Sequence, residues 1–286
     1  MVWFELHEEL LRILGWARTE QGTEMSKLLV EHRPGVTLLT LNRAPVHNNV
    51  DDELAMQLAD AIIAFGKDKD SSVLVVTGAG DKTFCAGANL KGMRELFEHR
   101  HTRSAGPMGF ARLDPGKPTI AAINGNCYAG GVELAVWCDF RIVDERAKFG
   151  LLNKRWGLSL ADGGTQRLPR VVGLGNALYM IETGAEIDAH RALMMGLAQE
   201  VVPAGTALSR ALQLAEHIAG YSQGGIRADR EAAIATFGLS LQDGLDLEAR
   251  LCHPPALSAE AAAGMRRFVD GSRPEPPRPV QADRRE

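Results

Sequence analysis

Between Ser26 and about residue 163, short apolar runs rich in Val, Leu and Ile alternate with amphipathic stretches, and past that point only helical periodicity continues. This switch constrains the fold more than any other feature, because short buried strands separated by helices stack into ββα or βαβ units with a largely parallel sheet. Leu28 to His32 and Val36 to Leu41 flank Arg33-Pro34-Gly35, a hairpin turn. Asp51 and Asp52 then precede an apolar face at helical spacing, Leu54, Met56, Leu58, Ala61, Ile62 and Phe65, with acid placed where a helix dipole favours it. Strands are expected at Val73 to Thr77, Thr119 to Asn124 and Phe140 to Val143, and a helix at Gly130 to Cys138.

Helices are expected near 163–172, 175–183, 188–195, 205–220, 225–237, 241–252 and 258–270, with no strand among them. Their apolar faces exceed what one thin layer covers, which predicts burial against another subunit. Outside this plan, residues 1–24 carry an amphipathic run, Trp3, Leu6, Leu10, Leu11, Ile13 and Leu14, that reads as an appendage, with Met25 as an alternative initiator. The division expected is therefore an appendage over 1–24, a core over 25–200, a helical region over 201–270 and a disordered Pro-rich tail over 271–286.

A net charge of -4 leaves no basic excess for phosphates, which argues against nucleic acid as principal partner. No apolar stretch is long enough for a membrane helix, and Glu5, Glu8 and Glu9 stand where a secretory signal would be basic. The four cysteines form neither a CxxC pair nor a framework, so a cytoplasmic protein is expected. Neither metal-ligand spacing nor a dinucleotide or Walker glycine motif occurs. No metal and no cofactor are expected.

Two glycine-rich segments carry the chemistry. Thr83-Phe84-Cys85-Ala86-Gly87-Ala88-Asn89-Leu90 lets a ligand approach backbone, or is a tight turn opening a helix. Asn124-Gly125-Asn126-Cys127-Tyr128-Ala129-Gly130-Gly131-Val132-Glu133-Leu134-Ala135 puts paired glycines at a helix start, where free N–H groups suit developing negative charge. Together with Leu41-Asn42-Arg43, Phe149-Gly150 and Gly163-Gly164-Thr165-Gln166-Arg167-Leu168, these segments resemble the enoyl-CoA hydratase/isomerase (crotonase) superfamily over roughly Ser26 to Asp270. The resemblance implies an α/β fold, a crotonase-like spiral of ββα units with a C-terminal α-helical trimerisation region, assembled as a homotrimer or dimer of trimers. It also implies an acyl-CoA thioester as ligand, so that coenzyme A enters as part of the substrate. The thioester oxygen would be held by the N–H groups of Ala88 and Gly130, and CoA contacts map onto Asn48 and the Ala86 backbone.

Glu133 falls in the first turn of the helix that begins at the glycines, where it is either a solvated acid in the helix dipole or an acid/base beside a bound thioester. The family places its catalytic glutamate there. Hydratases of the family add a second glutamate after a Phe-Gly pair, and this chain has Asn153 instead, which can bind substrate or orient water and cannot take a proton. Asp162 is a replacement acid or a helix N-cap. His99, Arg100, His101 and Arg103 read as solvated charge or as a contact to a CoA phosphate, His47 and His190 as surface residues, Cys85 as a small buried side chain rather than a nucleophile, and Trp137 and Trp156 as core or as walls of an acyl pocket. Hydration of a 2-enoyl-CoA in fatty-acid or related catabolism is the leading expectation. The alternatives are an enoyl-CoA isomerase, thioester hydrolysis or dehalogenation using Glu133 or Asp162, and a CoA-binding homologue without turnover.

Overall fold

The computed structural model describes residues 26–98 and 103–273; the appendage expected over 1–24, the segment His99-Arg100-His101 and nearly all of the expected tail lie outside them. The hairpin opens the fold: β1 (Leu28–Arg33) and β2 (Gly35–Leu41) pair antiparallel, Leu28 opposite Leu41 and Arg33 opposite Val36. Helix α1 (Asp52–Lys67) starts where Asp51 caps it, Oδ1 accepting from Leu54 N at 3.0 Å while Oδ2 pairs with Lys27 and Arg43.

Successive strand–strand–helix units come next. The first is β3 (Ser71–Gly78), β4 (Thr83–Cys85) and α2 (Met93–Glu98); the second is β5 (Thr119–Ile123), β6 (Asn126–Tyr128) and α3 (Gly130–Trp137). The third is β7 (Phe140–Asp144), β8 (Lys148–Gly150), a 3-10 turn at Leu152–Trp156 and α4 (Gly164–Val172). Then come α5 (Leu174–Thr183), β9 (Ile187–Asp188), α6 (Ala189–Met194), β10 (Glu200–Val202), α7 (Ala207–Ala219), α8 (Gln223–Ala235), α9 (Leu241–Ala256) and α10 (Ala259–Val269). The first strand of each unit joins a large sheet ordered β1-β2-β3-β5-β7-β10, and the second joins a small sheet ordered β4-β6-β8-β9. Apart from the β1–β2 and β8–β9 pairs, neighbours are parallel. This is the α/β spiral that the sequence implies.

Strand periodicity explains the near-continuous apolar runs. Val36 and Leu38 of β2, Val73 and Val75 of β3, and Ile120 and Ala122 of β5 face α7, which fills that side with Ala211, Leu212 and Ala215. The intervening residues, Leu39, Leu41, Leu74, Val76, Ala121 and Ile123, face the main core with Leu54, Leu58 and Ile62 of α1. β2, β3 and β5 are each covered on both faces, so both alternating sets must be apolar.

The helical C-terminal third is confirmed with one correction: β9 and β10 lie beyond residue 163, where no strand was expected. Both are too short to show an alternating pattern and are strands only because an edge is open to them, β8 for β9 and β7 for β10. Among the described residues no helix is long and apolar enough to cross a membrane.

Burial opposes ionisation of Asp51, but the Leu54 N–H, Lys27 and Arg43 outweigh it and hold the carboxyl below the usual range. Asp51→Ala is expected to cost about 1–2 kcal/mol at neutral pH, measured by urea denaturation. Because a depressed pKa stabilises only while the group stays ionised, the gap between wild type and variant should shrink as pH falls below about 4.

Candidate active site

The small sheet assembles the site. β4 and β6 are parallel neighbours, Cys85 opposite Cys127, and β6 and β8 likewise, Tyr128 opposite Gly150, so the chain leaves all three strands at the same edge. The segments just beyond the three strands, Ala86–Ala88, Ala129–Gly130 and Leu152–Asn153, line one cavity of about 220 Å³. Of the residues singled out from sequence, Ala86, Ala88, Gly130, Glu133, Asn153 and Asp162 share this wall.

Two main-chain donors are left free. Gly87 O accepts from Val50 N at 2.9 Å and Asn89 N donates to Val50 O at 2.8 Å, which turns the Ala88 N–H the opposite way. At the second turn Ala129 takes φ 48°, ψ -118°, a costly conformation for a residue with a Cβ, and Gly130 opens α3 immediately after it. Neither the Ala88 nor the Gly130 N–H donates to a described residue. The turns lie so close that a Cβ on Gly87, at φ +87°, would come within 2.7 Å of Gly130 N. Cys85 braces the first turn by accepting the Gly87 N–H at 3.3 Å. Burial pushes its thiol up to about 12, so it is the inert small side chain expected.

Glu133 is only 3% exposed. Its Oε1 accepts from Asp162 N and Gly164 N, each at 2.9 Å. A Cβ on Gly164 would sit 2.9 Å from Glu133 Cγ and 3.0 Å from Oε1, so that helix must begin with glycine for the carboxylate to dock. Asp162, 4% exposed, does not cap α4: the N-cap is Gly163, and Asp162 Oδ1 accepts instead from Met108 N at 2.9 Å. Each carboxyl group thus has one oxygen fixed by main-chain donors. Burial, and then the charge of Asp162, raises Glu133 to about 7. Burial raises Asp162 to about 6 against the Met108 N–H and the charges of Arg112, Arg103 and Arg167. The two acids titrate as a pair, and the site holds both a proton and a charge near neutrality.

Other residues depart from their sequence readings. Asn48 is fully buried and off the cavity wall: its Nδ2 donates to Ala79 O and Thr83 O and its Oδ1 accepts from Arg43 N, so the side chain braces the β3–β4 turn with no N–H left for CoA. Ala86 does line the cavity, with its own N–H given to His47 O. Asn153 donates to Leu158 O at 2.8 Å, and its Oδ1 has no hydrogen-bond partner among the described residues. Trp137 is core, its Nε1 donating to Leu113 O, whereas Trp156 is 69% exposed and forms cavity wall. Arg103 is no solvated charge: it pairs with Asp52 at 2.5 Å and donates to Pro107 O. Sequence reasoning missed Met108, whose role rests on a main-chain N–H, and its one signal is the bracketing Gly106 and Gly109.

A buried acid pair and two N–H groups unpaired among the described residues, set around one cavity at the end of stacked ββα units, have the layout of an enzyme active site. The comparisons give the class its name: the enoyl-CoA hydratase/isomerase family model matches residues 31–275. The 2,3-dehydroadipyl-CoA hydratase of Escherichia coli K12 is 36% identical over 88% of this chain and 98% of its own, and a probable mitochondrial enoyl-CoA hydratase of Dictyostelium discoideum is 35% identical over 85% and 88%. Enoyl-CoA hydratase structures from Mycobacterium marinum and Bacillus anthracis superpose with TM-scores of 0.82 and 0.79 at 31% and 32% identity, each covering 87% of this chain and 98% of the other. The chain belongs to the enoyl-CoA hydratase/isomerase family.

Because Glu133 holds its proton more tightly in the folded protein than at its ordinary value of 4.5, its contribution to stability is full below that value and is lost as pH rises through about 7. Glu133→Gln has no such loss, so its stability relative to wild type should be higher at about pH 8 than at about pH 5, by urea denaturation at both.

Proposed function

We propose that the protein hydrates 2-enoyl-CoA to 3-hydroxyacyl-CoA, in fatty-acid or related catabolism. The observation that carries this reading is the convergence of the free Ala88 and Gly130 N–H groups with the two buried carboxyls on one apolar cavity. Relatives named as hydratases over most of the chain support hydration over isomerisation. The thioester oxygen sits between the two N–H groups and the acyl chain lies among Leu90, Met93, Met108, Leu160 and Trp156. As water attacks Cβ, one carboxylate takes its proton, the Cα=Cβ electron pair moves toward the thioester oxygen, and the protonated carboxyl delivers a proton to Cα. The N–H groups hold the enolate oxygen more strongly than the neutral carbonyl, which favours the transition state. Glu133 is the principal acid/base and Asp162 its partner, because Asn153 cannot exchange a proton. No metal or cofactor takes part in this scheme beyond the coenzyme A of the substrate.

With crotonyl-CoA, followed by loss of enoyl-thioester absorbance, Glu133→Gln and Asp162→Asn should each lower kcat by about 10²–10⁴-fold while CoA-ester binding persists. A wild-type protein that binds CoA esters and turns over no enoyl-CoA of any chain length would overturn the assignment.

The enzyme is proposed to act in the cytoplasm as a homotrimer or dimer of trimers. Phe237, Leu241, Leu245, Leu257, Met265 and Phe268 are exposed on and between α8, α9 and α10, more apolar surface than a lone chain leaves in one region. Light scattering should give three or six times the chain mass, and Leu241→Glu should lower that multiple.

A further inference from the structure

We propose that Arg167 is a positioning residue for the carboxyl pair, tying the 103–113 loop to the start of α4 and holding a fixed positive charge behind Glu133 and Asp162. The inference rests on the hydratase reading of the site. Arg167 lies outside the cavity wall, half-buried on the first turns of α4. Its Nη2 donates to Ala111 O at 2.7 Å and its Nη1 to Asp162 O at 3.5 Å. The first bond fixes the loop whose Met108 N–H orients the Asp162 carboxyl; the second fixes the Asp162 main chain, whose N–H holds Glu133 Oε1. Gly163, at φ +95°, gives the guanidinium its space, since a Cβ there would fall 2.1 Å from Nη1. One planar fork therefore supports both halves of the pair, and only arginine offers two such donors in fixed geometry.

Charge points the same way. Arg167 makes no ion pair among the described residues, so its charge is not consumed by a surface acid. The charged groups around it are Glu133 from α3, Asp162 from the preceding turn, Asp114 just past the loop and Arg170 from its own helix. Asp162 also faces Arg103 and Arg112 of the loop, and Arg103 is engaged with Asp52. Arg112 and Arg103 act more strongly on Asp162 from the loop, while Arg167 interacts with both Glu133 and Asp162 from the helix that Glu133 docks against.

The test is the pH dependence of crotonyl-CoA turnover in the full-length enzyme. Arg167→Gln should move the acidic limb of kcat/KM upward by about half to one pH unit, because removing a cation favours the protonated acids. Arg167→Lys keeps the charge and reaches only one of the two carbonyls, so the limb should stay in place while kcat falls by about 3–10-fold at unchanged KM. An Arg167→Gln profile superimposable on wild type overturns the proposal even if the melting temperature drops, since a purely structural role predicts that pattern. Should Arg167→Gln not fold, Arg167→Lys carries the test, and wild-type kcat in that variant overturns it. Carboxyl-carbon NMR titration of Glu133 and Asp162, assigned with Glu133→Gln and Asp162→Asn, reads the same shift without turnover. An inactive wild type would then sink the hydratase reading alone, while unshifted titrations in Arg167→Gln would sink this one.

Discussion

The site depends on keeping the Glu133 carboxyl out of water. A carboxylate removed from solvent loses hydration that no apolar contact replaces, so it either takes up a proton or finds fixed donors. Here it does some of each: two backbone N–H groups from the turn ahead of α4 meet one oxygen, while burial and the nearby Asp162 raise its pKa into the neutral range. An acid so poised can give up and recover a proton at similar cost, as water addition and its reversal both require. Much of the surrounding sequence serves that docking. Gly164 must lack a side chain, Gly163 must turn with positive φ, and the 103–113 loop must close over Asp162.

Why one cavity collects so many groups is a consequence of the spiral. Each ββα unit sends a short strand into the small sheet, and parallel pairing of β4, β6 and β8 brings the exits of the three units side by side. The first exit supplies Ala88, the second Gly130 and, one turn on, Glu133, and the third Asn153. The proposed oxyanion donors, Ala88 and Gly130, belong to units separated by more than forty residues of sequence, yet their geometry needs only the Cys85–Cys127 register and the local turns. Precision of this kind resides in the backbone ladder, and it tolerates wide variation in side chains elsewhere.

That arrangement explains what could be read from sequence. The strands buried on both faces, the helices and the hairpin were visible because burial imposes apolar periodicity. The oxyanion turns were visible because close backbone approach demands small residues. Strands of two or three residues, β9 and β10 among them, leave no period and exist through pairing alone. Asn48 came only from the family's mapping of CoA contacts, and its surroundings spend both side-chain N–H donors on the Ala79 and Thr83 carbonyls. For Asp162 the sequence offered a cap or an acid, and only the third dimension, through Met108 N and the unassisted Gly163 N-cap, decides against the cap.

The proposed mechanism has its second carboxyl at position 162 rather than 153, which changes what supports it. Position 153 belongs to the turn after β8 and inherits its place from the small sheet. Asp162 hangs between that turn and α4, and its carboxyl is aimed by the 103–113 loop through Met108 N. The Met108 side chain meanwhile lines the cavity and packs on Gly130, where a Cβ would lie 2.5 Å from Sδ. One residue therefore touches the cavity, Gly130 and Asp162. A thioether is adaptable enough to repack around different acyl groups, but any repacking that shifts the Met108 backbone also shifts Asp162. On the proposed mechanism, selection of the acyl group and delivery of the proton rest on the same short loop, whereas a second acid at position 153 would keep them on separate elements.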